Sequence, residues 1–70
     1  MSLFIITVKM SKLFHGMLLE KGMTATVRTP YANPFQNGGQ AINDAFTRLY
    51  GIDLRSMGAL NRAFLKVTKP

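Results

Sequence analysis

Acid–base or nucleophilic chemistry in this chain has few residues to draw on: Glu20, Asp44, Asp53, His15 and the hydroxyls of Ser2, Ser11 and Ser56. A general acid–base pair needs two groups whose environments hold them in different protonation states. Each carboxylate instead has a structural use. Glu20 lies in a Glu-Lys-Gly turn, Asp44 is spaced to pair with Arg48 along a helix, and Asp53 stands where it can cap a short helix. His15 has no carboxylate partner in sequence, and the serines sit in no nucleophile motif. Structural zinc takes Cys or His in fours, and this chain has one His and no Cys. The residues point away from an enzyme and ask for no metal, no cofactor and no small-molecule substrate.

Gly38-Gly39 ahead of a helix is the one phosphate-loop feature, since amides there can face an anion. It lacks both the Gly-Lys-Ser/Thr ending of a P-loop and the Gly-x-Gly-x-x-Gly spacing of dinucleotide sites. The pair reads as flexible backbone before the helix.

Charge carries more weight. Nine Lys and Arg against three acids give a formal charge of +6 and a pI near 10.4. That balance favours nucleic acid or another polyanion through steering and counterion release.

Seventy residues make a single domain, residues 1–70. At that length one core supplies only about 3–5 kcal/mol, and disulfides are excluded by the missing Cys. Compact packing or oligomerisation must stabilise it. The run Leu3-Phe4-Ile5-Ile6 is too short for a membrane span or a signal core. Cytoplasmic residence is the expectation.

Leu3 to Met10 alternates as a strand, with Phe4, Ile6, Val8 and Met10 on one face. Met23 to Thr29 alternates more strictly, burying Met23, Ala25 and Val27. Between them, Ser11 to Gly22 is ambiguous: Glu20-Lys21-Gly22 suits a hairpin loop joining a short Met17–Leu19 strand to the next strand, and a turn of helix over Lys12–His15 suits it equally. Pro30 and Pro34 exclude regular structure from Thr29 to Gln36.

A helix follows, capped by Asn37 with Gln40 reaching back. Its apolar stripe is Ala41, Ile42, Ala45, Phe46, Leu49 and Tyr50. Gly51 ends it in a left-handed conformation with Ile52 folded onto Phe46. Asp53 then caps a single turn over Leu54–Met57, stopped by Gly58, and Asn61 to Lys69 forms the last strand. The fold class is α+β: an antiparallel sheet of three to four strands on one main helix, in the order β-β-(β)-α-short helix-β.

Strand parity gathers Lys9, Arg28, Arg62 and Lys66 on the outward sheet face with Phe64 and several threonines. Cations beside an aromatic on an open sheet suit single-stranded nucleic acid. The competing reading is a solvated face that serves solubility, because one aromatic is fewer than such platforms use. A third uses Leu3, Ile5 and Phe64 to bury that face against a second copy, or pairs strand Leu3–Met10 or Asn61–Lys69 with a partner edge. In the proline-bounded loop, Phe35 is expected to anchor the helix start, while Tyr31 and Asn33 are left as a partner-binding loop.

Several turn and cap residues carry a resemblance. Lys21-Gly22-Met23, Asn33-Pro34-Phe35, Gly38-Gly39, Ala45-Phe46, Tyr50-Gly51-Ile52-Asp53-Leu54 and Gly58-Ala59-Leu60-Asn61 resemble a family of short uncharacterised proteins from gut anaerobic bacteria. The resemblance covers about the last two-thirds of the chain and implies no activity.

Overall fold

The computed structural model describes residues 2–70 and has the expected α+β class. Strands β1 (Ser2–Val8), β2 (Lys12–Phe14), β3 (Met17–Leu19) and β4 (Thr24–Thr29) come first. A 3-10 turn over Asn37–Gly39 leads into helix α1 (Gln40–Tyr50), followed by the single-turn α2 (Leu54–Met57) and strand β5 (Leu65–Thr68). The main sheet is antiparallel in the order β4-β1-β5, so the first strand is central, as its two apolar faces suggest. Phe4, Ile6 and Val8 of β1, Ala25 and Val27 of β4 and Leu65 of β5 form its buried face. Ile42, Ala45 and Phe46 of α1 pack onto that face, and Ile52, Leu54, Met57 and Ala59 close the end of the core.

The ambiguous stretch resolves as an arm. The short strand Met17–Leu19 exists, but it pairs with β2 rather than with the strand that follows it. His15 and Gly16 both have positive φ (47° and 80°), the requirement of a two-residue hairpin turn whose twist matches its strands. Lys12–His15 is therefore strand and turn, not helix. The Glu20–Met23 turn, closed by the Met23 N–H donating to the Glu20 carbonyl, returns the chain to β4. There Gly22 and Met23 both oppose Val8: Gly22 N–H donates to the Val8 carbonyl and Val8 N–H to the Met23 carbonyl. This is a β-bulge of the glycine type, and it starts β4 one residue later than alternation alone implies.

Three other expectations need correction. Asn37, Gly38 and Gly39 are all left-handed before α1 (φ 58°, 68° and 70°); Gly39 stands at the cap position, and Asn37 makes no cap bond. Gln40 accordingly reaches forward, its Nε2 donating to Asp44 Oδ1 at 2.6 Å, so Asp44 is engaged by Gln40 instead of by Arg48. Leu49 is 56% exposed. Periodicity fixes its angle around the helix but not how far along α1 the three strands reach. Finally, residues 61–64 form a turn, and the last strand is only Leu65–Thr68. The Asn61 side chain is responsible: its Oδ1 accepts from the N–H of Ala63 and of Phe64, a local alternative to strand pairing.

The end of α1 behaves as expected. Gly51 has φ 68°, its N–H donates to the Thr47 carbonyl, and Ile52 is buried against the core. Asp53 accepts from the N–H of Arg55 and of Ser56 and from the Ser56 hydroxyl at 2.6 Å. These bonds to Ser56, with smaller help from Asn43 and Arg55, hold its carboxyl below the ordinary value. Because the folded form is the stronger acid, the cap's contribution is present above about pH 3.9, the unfolded value. It is lost as pH falls through the lowered folded value. Acid titration of stability should therefore be shallower in Asp53→Ala than in wild type over that window, a difference urea melts at stepped pH will measure.

Candidate functional site

Hydrogen bonding alternates along β4. The bulge pairs Val8 with Met23, so Ala25, Val27 and Thr29 are the β4 residues whose backbone groups turn toward β1. Those of Thr24, Thr26 and Arg28 turn the other way, to the outer edge of the sheet. Tyr50 makes this visible: its hydroxyl donates to the Thr24 carbonyl at 2.6 Å and accepts from the Thr24 N–H at 3.3 Å. One phenol thus occupies both edge groups of Thr24, as the peptide of a neighbouring strand would. Tyr50→Phe should cost about 0.5–1.5 kcal/mol and speed amide exchange at Thr24 alone among the β4 residues, which exchange measured by NMR will resolve.

Beyond Thr24 the edge opens into a groove. About 430 Å³ of space lies between β4 and α1, bordered by Thr26 and Arg28 on the strand and by Ala41, Asp44, Ala45 and Arg48 on the helix. A second section of about 290 Å³ shares Arg28, Ala41 and Asp44 and runs on past Pro30 and Tyr31 to Gln36 and Gln40. The two alanines, four apart on α1, line one side of the groove with nothing larger than a methyl group. Pro30, which carries no N–H, limits the far end of the open strand.

The five residues expected on the outward sheet face separate. Lys9, Arg28 and Lys66 have exposed side chains, and register puts Arg28 opposite Leu3 and Lys66 opposite Thr7. Four residues along and two strands across place Arg28 and Lys66 roughly 16 Å apart, about twice the screening length in physiological salt. Lys9 Nζ is turned to the Arg62 carbonyl at 3.1 Å. Arg62 is elsewhere: its guanidinium lies 4.8 Å from the centre of the Phe35 ring. Phe64 is half-buried against the core with Lys12 Nζ 5.3 Å from its ring centre, so the sheet face has no aromatic platform. The expected grouping fails because Arg62 and Phe64 belong to the turn, where strand parity does not apply.

The loop candidates divide as well. Tyr31 is exposed and lines the second section of the groove. Asn33 is used within its own turn: Oδ1 accepts from Phe35 N–H at 2.9 Å and its N–H donates to Gln36 Oε1. Phe35 packs against the core, as a helix anchor should. The groove therefore joins Arg28 and Tyr31, two of the sequence candidates, to Ala41, Asp44, Ala45 and Arg48, which had been given other uses. The small pair at Ala41 and Ala45 was the available signal; the edge position of β4 had none.

Among the described residues no group of three His, Cys, Asp or Glu is arranged to hold a metal, and no helix is long and apolar enough to cross a membrane. No curated protein and no solved structure matches the chain. A family of unknown function, DUF6140, does match, over residues 1–67, which adds the segment holding β1, β2 and β3 to the region that carried the resemblance. The chain is thus a member of the DUF6140 family.

Proposed function

We propose that the protein is a non-enzymatic binding module that takes an extended polypeptide segment as an added strand on β4. The observation that carries this reading is the edge itself: Thr26 and Arg28 direct their backbone groups into a groove walled by Ala41 and Ala45, beside a residue already capped in strand-like fashion by Tyr50. Strand addition obtains affinity from main-chain hydrogen bonds and selectivity from the side chains along the groove. We take the setting to be a gut anaerobic bacterium, as the resemblance has it, and within it the cytoplasm, the expectation from the sequence.

The test is an NMR titration with acidic, neutral and basic five-residue extended peptides. At least one should shift the amides of Thr26 and Arg28. Thr26→Pro should abolish the shifts while the core spectrum is kept, since the lost N–H faces the groove and not β1. If none of the three peptides moves those amides, the reading is wrong.

Net charge favours a second reading, in which Lys9, Arg28 and Lys66 meet a nucleic acid or another polyanion. It predicts binding of a single-stranded oligonucleotide that weakens steeply with salt, with a slope flattened by Lys66→Ala. With Phe64 off the face, base stacking should add little. A self-association through Leu3 and Ile5 would appear in sedimentation as a dimer lost in Ile5→Lys.

A further inference from the structure

Resting on the strand-addition reading, we infer that the segment received by β4 is acidic: carboxylates alternate with apolar side chains, the former facing Arg28 and the latter facing the helix. Pairing with Thr26 and Arg28 dictates the alternation. Successive side chains of an added strand point to opposite faces, one set beside Thr26 and Arg28 on the outward side and the other over Ala41 and Ala45. The helix-facing position meets the half-buried Ala41 and about 430 Å³ of space, which suits a branched apolar side chain. The outward position meets the Arg28 guanidinium, a group that binds carboxylate in bidentate fashion.

Charge at the groove is unbalanced. Arg28 and Arg48 border it and are exposed, and among the described residues neither guanidinium donates a hydrogen bond. Arg55, by contrast, is tied to the Gly38 carbonyl and Gln40 Oε1, and Lys12 to the Met57 carbonyl. The one acid of the groove, Asp44, is held by Gln40. An acidic segment would therefore find the Arg28 guanidinium unengaged on its outward side and a +6 protein steering it in.

A second copy of this chain is a poorer occupant. Its β4 offers Arg28 and no acid, so pairing two β4 edges would oppose like charges, and Tyr50 already holds Thr24 on each copy. A nucleic acid has no alternating N–H and C=O ladder for Thr26 and Arg28 to pair with.

The experiment compares acetyl-Glu-Val-Glu-Val-Glu-amide with its Thr-Val and Lys-Val counterparts on the full chain, following the Thr26 and Arg28 amides. The acidic peptide should bind at least tenfold more tightly than the neutral one, with the advantage shrinking as salt rises. Arg28→Glu and, separately, Arg28→Ala should each remove that advantage; two substitutions guard against one failing to fold. Equal binding of acidic and neutral peptides at the edge would overturn the charge preference and leave strand addition standing. Edge shifts with no peptide would overturn both. Acidic-peptide shifts confined to Lys9 and Lys66 would move the site to the outward face and also overturn the inference.

Discussion

Phe46→Ala should leave the protein largely unfolded at room temperature. Phe46 is fully buried in the one core cluster that also holds Ala25, Val27 and Leu65 of the sheet and Ile52 and Leu54. Removing such a ring costs about 3–5 kcal/mol in transfer and cavity terms, and a core in a chain of this size supplies only about 3–5 kcal/mol in all. Leu49→Ala is the control from the same helix. Being more than half exposed, Leu49 should cost under about 1 kcal/mol when truncated. Urea melts of both variants check the pair. Similar losses would mean that α1 is rotated from the position described, and an unchanged Phe46→Ala midpoint would mean that the stripe is not core.

Gly39→Ala should be the next most damaging change. Gly39 is buried, holds φ at 70°, and a Cβ built there comes within 3.0 Å of Cγ and Cδ2 of Leu60. The substitution therefore combines left-handed strain with a side chain that must move, for about 2–3 kcal/mol. Gly51 separates the two causes. It has nearly the same φ, 68°, but a Cβ there meets nothing within 4 Å, so Gly51→Ala should cost about 1 kcal/mol from strain alone. Equal losses in thermal melts of the two variants would show that Leu60 yields freely.

What was legible in the sequence were the features that local chemistry decides. The Gly51 stop, the Asp53 cap and the inward set Phe4, Ile6, Val8, Ala25 and Val27 each follow from residue type and spacing within a few positions. What was not legible depends on contacts distant in sequence. Nothing within residues 12–19 says that they fold on themselves instead of joining the main sheet, because Met17–Leu19 could pair on either side. The Asn61 side chain competes with the strand pattern of Arg62 to Phe64, and alternation alone gives no weight to that competition.

The groove illustrates the same division. Arg28 and Tyr31 stood out by charge and by loop position, and both border it. Ala41 and Ala45 were read only as part of an apolar stripe, yet their small size relative to Ile42 and Phe46 is what leaves room beside the strand. The neighbours of β4 complete the site, and those are set by sheet order: β1 takes the centre and β5 the far side, leaving one edge of β4 beside α1. No pattern within residues 24–29 encodes that.

Amide hydrogen exchange along β4 in the free protein tests the central claim most directly. The amides of Ala25, Val27 and Thr29 turn toward β1, Thr24 has the Tyr50 hydroxyl, and Thr26 and Arg28 face the groove. The open edge predicts that Thr26 and Arg28 exchange at least tenfold faster than Ala25 and Val27, with Thr24 slowed by Tyr50. Protection of Thr26 and Arg28 equal to that of Val27 would contradict it, because the edge would then already be covered.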